Sequence, residues 1–304
     1  MFAPIAIFTY NRLDHFQQTI QHLLLNKEAK DTDLYVFSDA AKHEKDKEIV
    51  DNIRDYIQQI VGFRRVFLSS NEENMGLKAS IKRGVTEVLS THDAIIVVED
   101  DICVNRHFLS FHNACLEKYK TYKQLWSVSA FVIPEIGKDI AEKTAQSYFL
   151  TQRASSWGWS TWKDRWEAVV WDEKQLLTYL SKDGNYSKYY NTGGDKIRML
   201  LDCFQKKNNS WAIIWDFNHF MQGTYCLYPS VSLVKNIGLD YSGVHSKPRT
   251  EYDVALKNWD FKPTELPENP ISPLYAQEKF KRLNRKFYRD ILDLWRYRQM
   301  KINS

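Results

Sequence analysis

Three consecutive acidic residues, Glu99, Asp100 and Asp101, directly follow an apolar run at residues 94–98. Carboxylates a few ångströms apart raise each other's pKa, so such a cluster is costly unless a cation neutralises it. Carboxylate oxygens without a nearby Cys or clustered His suit Mg²⁺ or Mn²⁺ as ligands. The triplet therefore predicts a divalent-cation site. The alternative is the solvated acidic end of a strand.

Polar residues also stand at the ends of the first two apolar runs, residues 4–9 and 34–38. In an open parallel sheet, ligands bind beyond the carboxyl ends of the strands, so these residues and the acidic triplet are expected at one edge. For Asp39 a turn-forming role is the alternative. The residues at these two strand ends that we expect to contact a ligand are Thr9, Tyr10, Asn11, Arg12 and Asp39.

The first hundred residues alternate short apolar runs with segments of helical periodicity, which is the pattern of βαβ units and a largely parallel sheet. The fold class is therefore α/β. The predicted strands are residues 4–9, 34–38, 65–68 and 94–98, and the predicted helices are residues 13–25, 48–60 and 77–89.

The pattern becomes mixed after Cys103, with a predicted helix at residues 108–122 and a predicted strand at 126–132. The segment at residues 275–302 predicts a helix with one apolar face among many Lys and Arg. We expect this segment to lie against an anionic membrane or a partner. The alternative is a helix packed on the body with a solvated basic face.

The composition is that of a globular protein, since 43% of the 304 residues are hydrophobic and can bury a substantial core. Lys and Arg number 42 against 38 Asp and Glu, which suits nucleotide phosphates or an anionic surface without requiring either. We expect no nucleic-acid partner. The four Cys lack CxxC spacing and the N-terminus lacks a signal-peptide pattern, so we expect a cytoplasmic location, with peripheral membrane contact.

All ten Trp residues lie after residue 120. Flat indoles pack well on the C–H faces of sugar rings. Trp157 and Trp159, on either side of Gly158, are therefore candidates to contact a sugar. Core packing is the alternative, and it accounts for Trp162 and Trp166, which recur at helical spacing.

The segments AIFTYNR, FSDAAK, NMGLKASIKRG and IIVVEDD resemble, in order and spacing, the GT-A glycosyltransferases, which take sugars from nucleotide diphosphates. The resemblance covers roughly residues 3–105. It extends to family 2-like enzymes and to the N-acetylglucosaminyltransferases of the first-GlcNAc type, where the acidic triplet is also Glu-Asp-Asp. It implies a GT-A, Rossmann-like fold: a mixed, mainly parallel sheet flanked by helices, here with a helical C-terminal extension.

Roles for the N-terminal residues follow from this resemblance. Asp101 would ligate Mn²⁺ or Mg²⁺, Asp100 would hold the donor ribose, and Glu99 would act through a metal-bound water. The five strand-end residues named above would surround the nucleobase and ribose. Lys78 and Arg83 would face the nucleotide from the third helix, with an ordinary solvated helix face as the alternative. UDP is the expected nucleotide.

Asp216 follows the apolar run at residues 212–215. In the resembling enzymes a Trp-Asp pair ahead of a helix supplies the base that takes a proton from the acceptor hydroxyl. An N-cap of that helix is the alternative. His245, in a segment resembling a loop that closes over the diphosphate, would complete the metal shell or touch a phosphate, unless it lies on the surface. Other candidate bases are Glu167, Asp172 and Asp195.

The sequence therefore predicts a metal-dependent, inverting glycosyltransferase that moves a hexose or N-acetylhexosamine from a UDP-sugar to a glycan or lipid-linked glycan in polysaccharide biosynthesis. A retaining mechanism stays open. One rival is a non-catalytic carbohydrate-binding protein of the same fold. The other is a sugar-nucleotide pyrophosphorylase, whose Gly-rich N-terminal loop is missing here. The G-x-G-x-x-G and Walker motifs of dinucleotide and P-loop enzymes are missing as well.

Three subregions are expected on this basis. Residues 1–102 would bind the nucleotide sugar, residues 103–250 would bind the acceptor and catalyse transfer, and residues 251–304 would form an extension that carries the basic amphipathic helix.

Overall fold

The computed structural model describes residues 2–241, 250–256, 259, 261–283 and 287–302. Its strands are β1 (Ile5–Thr9), β2 (Asp33–Ser38), β3 (Arg65–Ser70), β4 (Ala94–Glu99), β5 (Ile102–Val104), β6 (Leu125–Ser129), β7 (Tyr148–Thr151), β8 (Trp159–Trp162), β9 (Tyr225–Pro229) and β10 (Val234–Asn236). Short 3₁₀ helices cover Ala29–Asp31, Glu44–Asp46, Thr250–Tyr252 and Pro263–Glu265.

The α-helices are α1 (Leu13–Leu24), α2 (Lys47–Gln58), α3 (Leu77–Thr91), α4 (Phe108–Lys118), α5 (Pro134–Thr144), α6 (Lys163–Glu167), α7 (Glu173–Leu180), α8 (Asn185–Tyr190), α9 (Gly194–Phe204), α10 (Trp211–Met221), α11 (Leu274–Arg282) and α12 (Phe287–Ile302). None of these described helices combines the length and the apolar character needed to cross a membrane.

Eight strands form one mixed sheet in the order β3-β2-β1-β4-β8-β6-β9-β7. The first four are parallel, β6 and β9 are parallel to each other, and β8 and β7 run antiparallel to their neighbours. The predicted α/β class, with a mainly parallel sheet flanked by helices, is confirmed. Strands from both sides of residue 102 share this sheet. The proposed subregion boundary at that residue, which stays a prediction, would therefore separate two halves of one sheet.

Both faces of the central strands are buried, as in parallel sheets that are covered by helices. In β1, Ile5 and Ile7 belong to one hydrophobic cluster, whereas Ala6 and Phe8 belong to another on the opposite face. The first cluster includes residues of α1, α2, α4 and α5, and the second includes residues of α3, α6 and α10. A third cluster joins α7, α8, α9 and α12 to α10.

The predicted elements of the first hundred residues all occur, and their ends differ by a few residues. Farther along, the predicted strand at 126–132 ends at Ser129, whose Oγ accepts a hydrogen bond from the backbone N–H of Phe131 and closes a turn. The C-terminal segment contains two helices rather than the single predicted one. Leu283 has an extended backbone (φ −60°, ψ 125°), and this ends α11 before α12 begins at Phe287.

Candidate active site at the carboxyl edge of the sheet

The acidic triplet lies where β4 ends, next to the end of β1. Because β1 and β4 are adjacent parallel strands, their carboxyl ends meet at one edge. Asp100 Oδ2 accepts hydrogen bonds from Thr9 Oγ1 (3.1 Å) and from the backbone N–H of Tyr10 (3.4 Å). Thr19 of α1 donates to the Asp100 carbonyl at 2.8 Å. The first loop and the acidic triplet are therefore in contact at this edge, as predicted.

Arg12 supplies a positive charge to this acidic group. Its Nη1 donates to Asp101 Oδ2 at 2.9 Å, and its Nη2 donates to Asp100 Oδ1. Both carboxylates are buried, and the Arg12 side chain is only 20% exposed, so water screens these ion pairs weakly. One guanidinium thus faces three neighbouring carboxyl groups.

The excess negative charge contributes to raised pKa values in the triplet. Burial, and then the charges of Asp101 and Asp100, raise the pKa of Glu99 to about 8. Burial also raises the pKa of Asp100 to about 6, although the charge of Arg12 opposes this effect. A further cation would favour the ionised form of both groups.

The residues at this edge fit such a cation. Asp101 Oδ1 is buried and has no hydrogen-bond partner, so it is available as a ligand. The segment after β10 packs against the same residue: Ile237 N–H donates to the backbone carbonyl of Asp101 at 2.8 Å. A Cβ added to Gly238 would overlap Asp101 Oδ2. Within the described residues, no group of three His, Cys, Asp or Glu could hold a metal. A cation here would thus need ligands such as phosphate and water, as Mg²⁺ commonly does.

Tyr10 and Asn11 both contact Asp46, which precedes α2. Tyr10 Oη donates to Asp46 Oδ2 at 2.8 Å, and Asn11 Nδ2 donates to Oδ1 at 3.3 Å. An open groove of about 470 Å³ is lined by Asn11, Arg12, Lys45 and residues of α2. Of these two residues only Asn11 lines the groove, which Arg12 connects to the acidic pair, and the predicted contact of both with a nucleotide stays a prediction.

Asp39 holds the turn that leads into α3. Its carboxylate accepts hydrogen bonds from the backbone N–H groups of Met75 (3.0 Å) and Gly76 (2.8 Å), and from Asn71 Nδ2 (2.8 Å). Gly76 has φ of +74°, which glycine adopts without strain. These contacts match the turn-forming alternative, although the residue also stands at the carboxyl edge beside Thr9.

Lys78 and Arg83 of α3 contact protein groups. Lys78 Nζ lies 2.7 Å from Glu173 Oε1, at the start of α7. Arg83 Nη2 donates to Ser69 Oγ of β3 at 3.0 Å. Neither partner belongs to the acidic edge, so the predicted approach of these two residues to a nucleotide remains a prediction without supporting contacts.

A second cavity, of about 240 Å³, lies farther along the same edge. Residues 131–133 after β6 and Tyr228 of β9 line it, and β6 and β9 run in the same direction as β4. Adjacent strands are about 4.8 Å apart, so the strands β6 and β9 that line the cavity are roughly 10–15 Å from β4 across the sheet. Its wall is largely apolar and aromatic, and Trp157, which packs on Phe131, is part of it.

Asp216 lines this cavity and lies in the middle of α10. Its Oδ1 accepts from the backbone N–H of Ala154 (2.9 Å), and its Oδ2 accepts from Tyr189 Oη (2.8 Å). Lys196 Nζ lies 2.8 Å from Oδ2, and both side chains are almost fully buried. The N-cap alternative for Asp216 is wrong, because Ser210 caps α10 through a hydrogen bond to the Ile213 N–H.

Lys196 and Arg153, which were not predicted from the sequence, also line this cavity. Burial lowers the pKa of Lys196, while the charge of Asp216 opposes that effect. Arg153 forms two hydrogen bonds of 2.8 Å to Asp195. A signal for Lys196 was present, since it lies four residues before Leu200 and so shares the buried side of α9.

The prediction that Trp159 contacts a sugar is corrected by its burial. Its side chain is fully buried, and its ring packs against those of Trp166, Trp211 and Trp215. Core packing, the stated alternative, accounts for it. Trp157 is half-buried and remains at the cavity wall.

The other candidate bases stand in ordinary structural positions. Asp172 caps α7 through the N–H of Lys174, Glu167 is exposed at the end of α6, and Asp195 pairs with Arg153. His245 lies outside the described residues.

No family model matches this sequence, and no curated protein matches it. Solved structures do. A mannosyltransferase from Pyrobaculum calidifontis, in complex with GDP-Man and Mn²⁺, is 13% identical with a TM-score of 0.42, over 72% of this chain and 69% of that one. Glucosyl-3-phosphoglycerate synthase from Mycobacterium tuberculosis, in complex with Mn²⁺, UDP and glucosyl-3-phosphoglycerate, is 14% identical with a TM-score of 0.33, over 67% and 66%.

Mouse xyloside xylosyltransferase 1, in its apo form, is 9% identical with a TM-score of 0.35, over 73% of this chain and 82% of that one. The chain is thus similar in structure to these three glycosyltransferases. Because each TM-score is below 0.5, a function for this chain must rest on its own site.

Proposed function

We propose that this protein is a glycosyltransferase that binds a nucleotide diphosphate sugar, with UDP as the preferred nucleotide, at the edge formed by β1 and β4. One observation carries the proposal. Asp100 and Asp101 are buried beside the loop that follows β1, and Asp101 Oδ1 has no hydrogen-bond partner there. Burying a carboxylate oxygen without a partner is costly, so a site that does so is suited to a cation and its anionic ligand.

In this proposal, different residues of the edge bind different parts of the donor. Asp101 holds Mn²⁺ or Mg²⁺, Asp100 holds the ribose, and Glu99 acts through a water. A bound divalent cation supplies positive charge that stabilises the departing diphosphate. Asn11 lines the groove in which the nucleoside would lie, Tyr10 stands next to it in the chain, and Arg12 lines the groove and binds the acids.

The cavity beside Asp216 is proposed as the acceptor site. In an inverting transfer, the acceptor oxygen bonds to the anomeric carbon as the bond from that carbon to the diphosphate breaks, and Asp216 takes the hydroxyl proton. Lys196 Nζ, 2.8 Å away, holds the carboxylate in place at the wall of the cavity. Trp157 offers a flat aromatic surface for a sugar ring.

The acceptor class proposed is a glycan or lipid-linked glycan, in the synthesis of a polysaccharide. The sugar moved is a hexose or N-acetylhexosamine. His245 is proposed to complete the metal shell or to touch a phosphate, and the three subregions predicted above are kept.

One observation favours a second candidate, a carbohydrate-binding protein without catalysis. Both Asp216 oxygens already accept hydrogen bonds, and an ammonium ion lies against them, which weakens a carboxylate as a base. The two candidates differ in one result, because only the transferase breaks the bond between sugar and diphosphate.

A panel of nucleotide sugars tests the proposal. Thermal unfolding is followed with each donor, with and without Mn²⁺, and free nucleotide release is measured for the donors that stabilise the fold. A donor at about 100 times its dissociation constant should add about 2.7 kcal/mol to the free energy of unfolding. Stabilisation that needs Mn²⁺, together with nucleotide release, supports the transferase. Donor binding without release supports the binding protein, and no binding by any donor rejects the proposed transferase.

A further inference from the structure

The C-terminal helix α12 leaves one apolar face uncovered. Ile291, Leu292 and Trp295 are 52%, 41% and 59% exposed. Trp295 lies three residues after Leu292 and four after Ile291, so the three side chains lie on one side of the helix. Asp293 and Tyr297 lie on the opposite, buried side, where Tyr297 belongs to the third hydrophobic cluster. We call the three exposed residues, Ile291, Leu292 and Trp295, the α12 face.

The α12 face belongs to the most basic part of the chain. Residues 275–304 contain nine Lys and Arg and only three Asp and Glu, a net charge of +6. The whole chain has a net charge of +4, so residues 1–274 are slightly acidic, at −2. An exposed Trp with aliphatic neighbours, in a segment this basic, is the combination found in helices that lie in the interface of an anionic bilayer.

The position of α12 is fixed by polar contacts to α9. Arg296 Nη2 donates to Asp202 Oδ1 (2.6 Å) and to Gln205 Oε1 (2.8 Å). Met199, one turn before Asp202 on the same helix, lines the cavity beside Asp216 and is 41% exposed. The cavity and α12 are therefore attached to neighbouring turns of one helix.

We propose that the α12 face and the basic segment around it dock the protein on an anionic membrane surface. The apolar side chains enter the interface while the Lys and Arg contact lipid phosphates. A second copy of the chain is a poorer occupant, because two segments of charge +6 would repel each other and dimer interfaces are depleted of charge. The docking does not depend on the proposed transfer activity. It would bring the cavity beside Asp216 close to a lipid-borne molecule.

Vesicle flotation of the full chain tests the proposal. The wild type is compared on neutral phosphatidylcholine vesicles and on vesicles that also contain phosphatidylglycerol. A triple variant, Ile291→Ser, Leu292→Ser and Trp295→Ser, removes the α12 face. A control variant, Leu25→Ser with Val61→Ser, changes two exposed apolar residues in the N-terminal half, which are 65% and 79% exposed. Circular dichroism checks that all proteins are folded.

We expect the wild type and the control to float only with the anionic vesicles. The affinity of the triple variant for these vesicles should be lower by about tenfold or more. Binding of the wild type should also fall at 1 M salt, where the Debye length is about 3 Å. The proposal is overturned if the wild type stays at the bottom of the gradient with anionic vesicles. It is also overturned if a folded triple variant floats as well as the wild type. A dimer in sedimentation, lost in the triple variant and without vesicle binding, would instead assign the face to a second copy.

Discussion

Arg12 Nη1 donates a hydrogen bond of 2.9 Å to Asp101 Oδ2. The same guanidinium also binds the neighbouring carboxylate of Asp100. Arg12, the last residue of the segment AIFTYNR, is therefore the counter-ion of the acids at the end of β4. This ion pair makes the fold of the first loop and the electrostatics of the acidic edge depend on each other.

Arg12→Met should destabilise the protein in the absence of metal. The substitution keeps an unbranched side chain but leaves two buried carboxylates without their counter-ion, at a cost of about 2–3 kcal/mol in the free energy of unfolding. Mn²⁺ should stabilise this variant more than it stabilises the wild type, because the ion would then be the main positive charge at the edge. Denaturant unfolding with EDTA or Mn²⁺ measures both effects. Equal responses of the two proteins to Mn²⁺ would argue against a cation at this edge.

Gly238→Ala should impair the acidic edge without altering the core. An added methyl group would overlap Asp101 Oδ2 and lie 2.7 Å from Arg12 Nη1, so the segment after β10 must shift. A displacement of about 1 Å near reacting groups can lower turnover on the order of 100-fold. Nucleotide release from the best donor measures the effect. Lys235→Ala, in the preceding strand, serves as the control and should be nearly normal; similar activity of both variants would contradict the packing described here.

Asp216→Asn should lower turnover on the order of 10²- to 10⁴-fold, since an amide cannot take up the acceptor proton. Donor affinity should barely change, because Asp216 lines the separate cavity and has no contact with the acidic pair among its hydrogen bonds. Steady-state transfer with both substrates saturating, together with calorimetric donor binding, measures the two effects. Near-normal transfer would remove Asp216 from the mechanism.

Lys196→Met provides the matched control for that experiment. It removes the ammonium ion but keeps the carboxylate that takes the proton, so we expect it to retain more transfer activity than Asp216→Asn, although losing one partner of a buried ion pair destabilises the fold by about 3–5 kcal/mol. A purely structural ion pair would give a different result: both substitutions would destabilise the fold, and the two folded variants would show similar turnover.

Asp33→Asn should destabilise the protein at neutral pH but not in strong acid. Burial acts to raise the pKa of Asp33, but hydrogen bonds from Arg64 and Arg65 outweigh it and lower the pKa to about 2. Because this value is below that of the unfolded chain, the carboxylate stabilises the fold fully above about pH 4, and the contribution is lost as the pH falls through about 2. We expect a loss of about 1–2 kcal/mol, since both arginines are partly exposed.

The measurement is denaturant unfolding of both proteins between about pH 7 and pH 3. The difference between wild type and variant should be constant near neutrality and should shrink toward the acid end. A difference that grows as the pH falls would contradict the depressed pKa of Asp33.

The N-terminal half of the fold was predictable because its strands are buried on both faces and are separated by amphipathic helices. Ile5 and Ala6 show why: neighbouring residues of β1 enter different hydrophobic clusters, so the whole run must be apolar. The position of the acids at the carboxyl edge followed from the same topology.

The site in the second half was less predictable, because its contacts join residues far apart in the sequence. Asp216 was recognised, but its ion pair with Lys196 and its hydrogen bond to Tyr189 come from helices that only the tertiary fold brings together. Likewise, the local pattern around Trp159 cannot distinguish a ligand-stacking indole from one that three other Trp rings enclose.

Nucleotide release from the best-binding donor, measured for the wild type and for Asp101→Ala, decides whether the proposed cation site is used. We predict release by the wild type that requires Mn²⁺ or Mg²⁺ and stops with EDTA. Asp101→Ala should be folded but inactive, because it lacks the carboxylate proposed to hold the cation. Asp93→Asn, which changes an exposed carboxylate paired with Lys120, should behave as the wild type. Undiminished, metal-dependent release by Asp101→Ala would contradict the account.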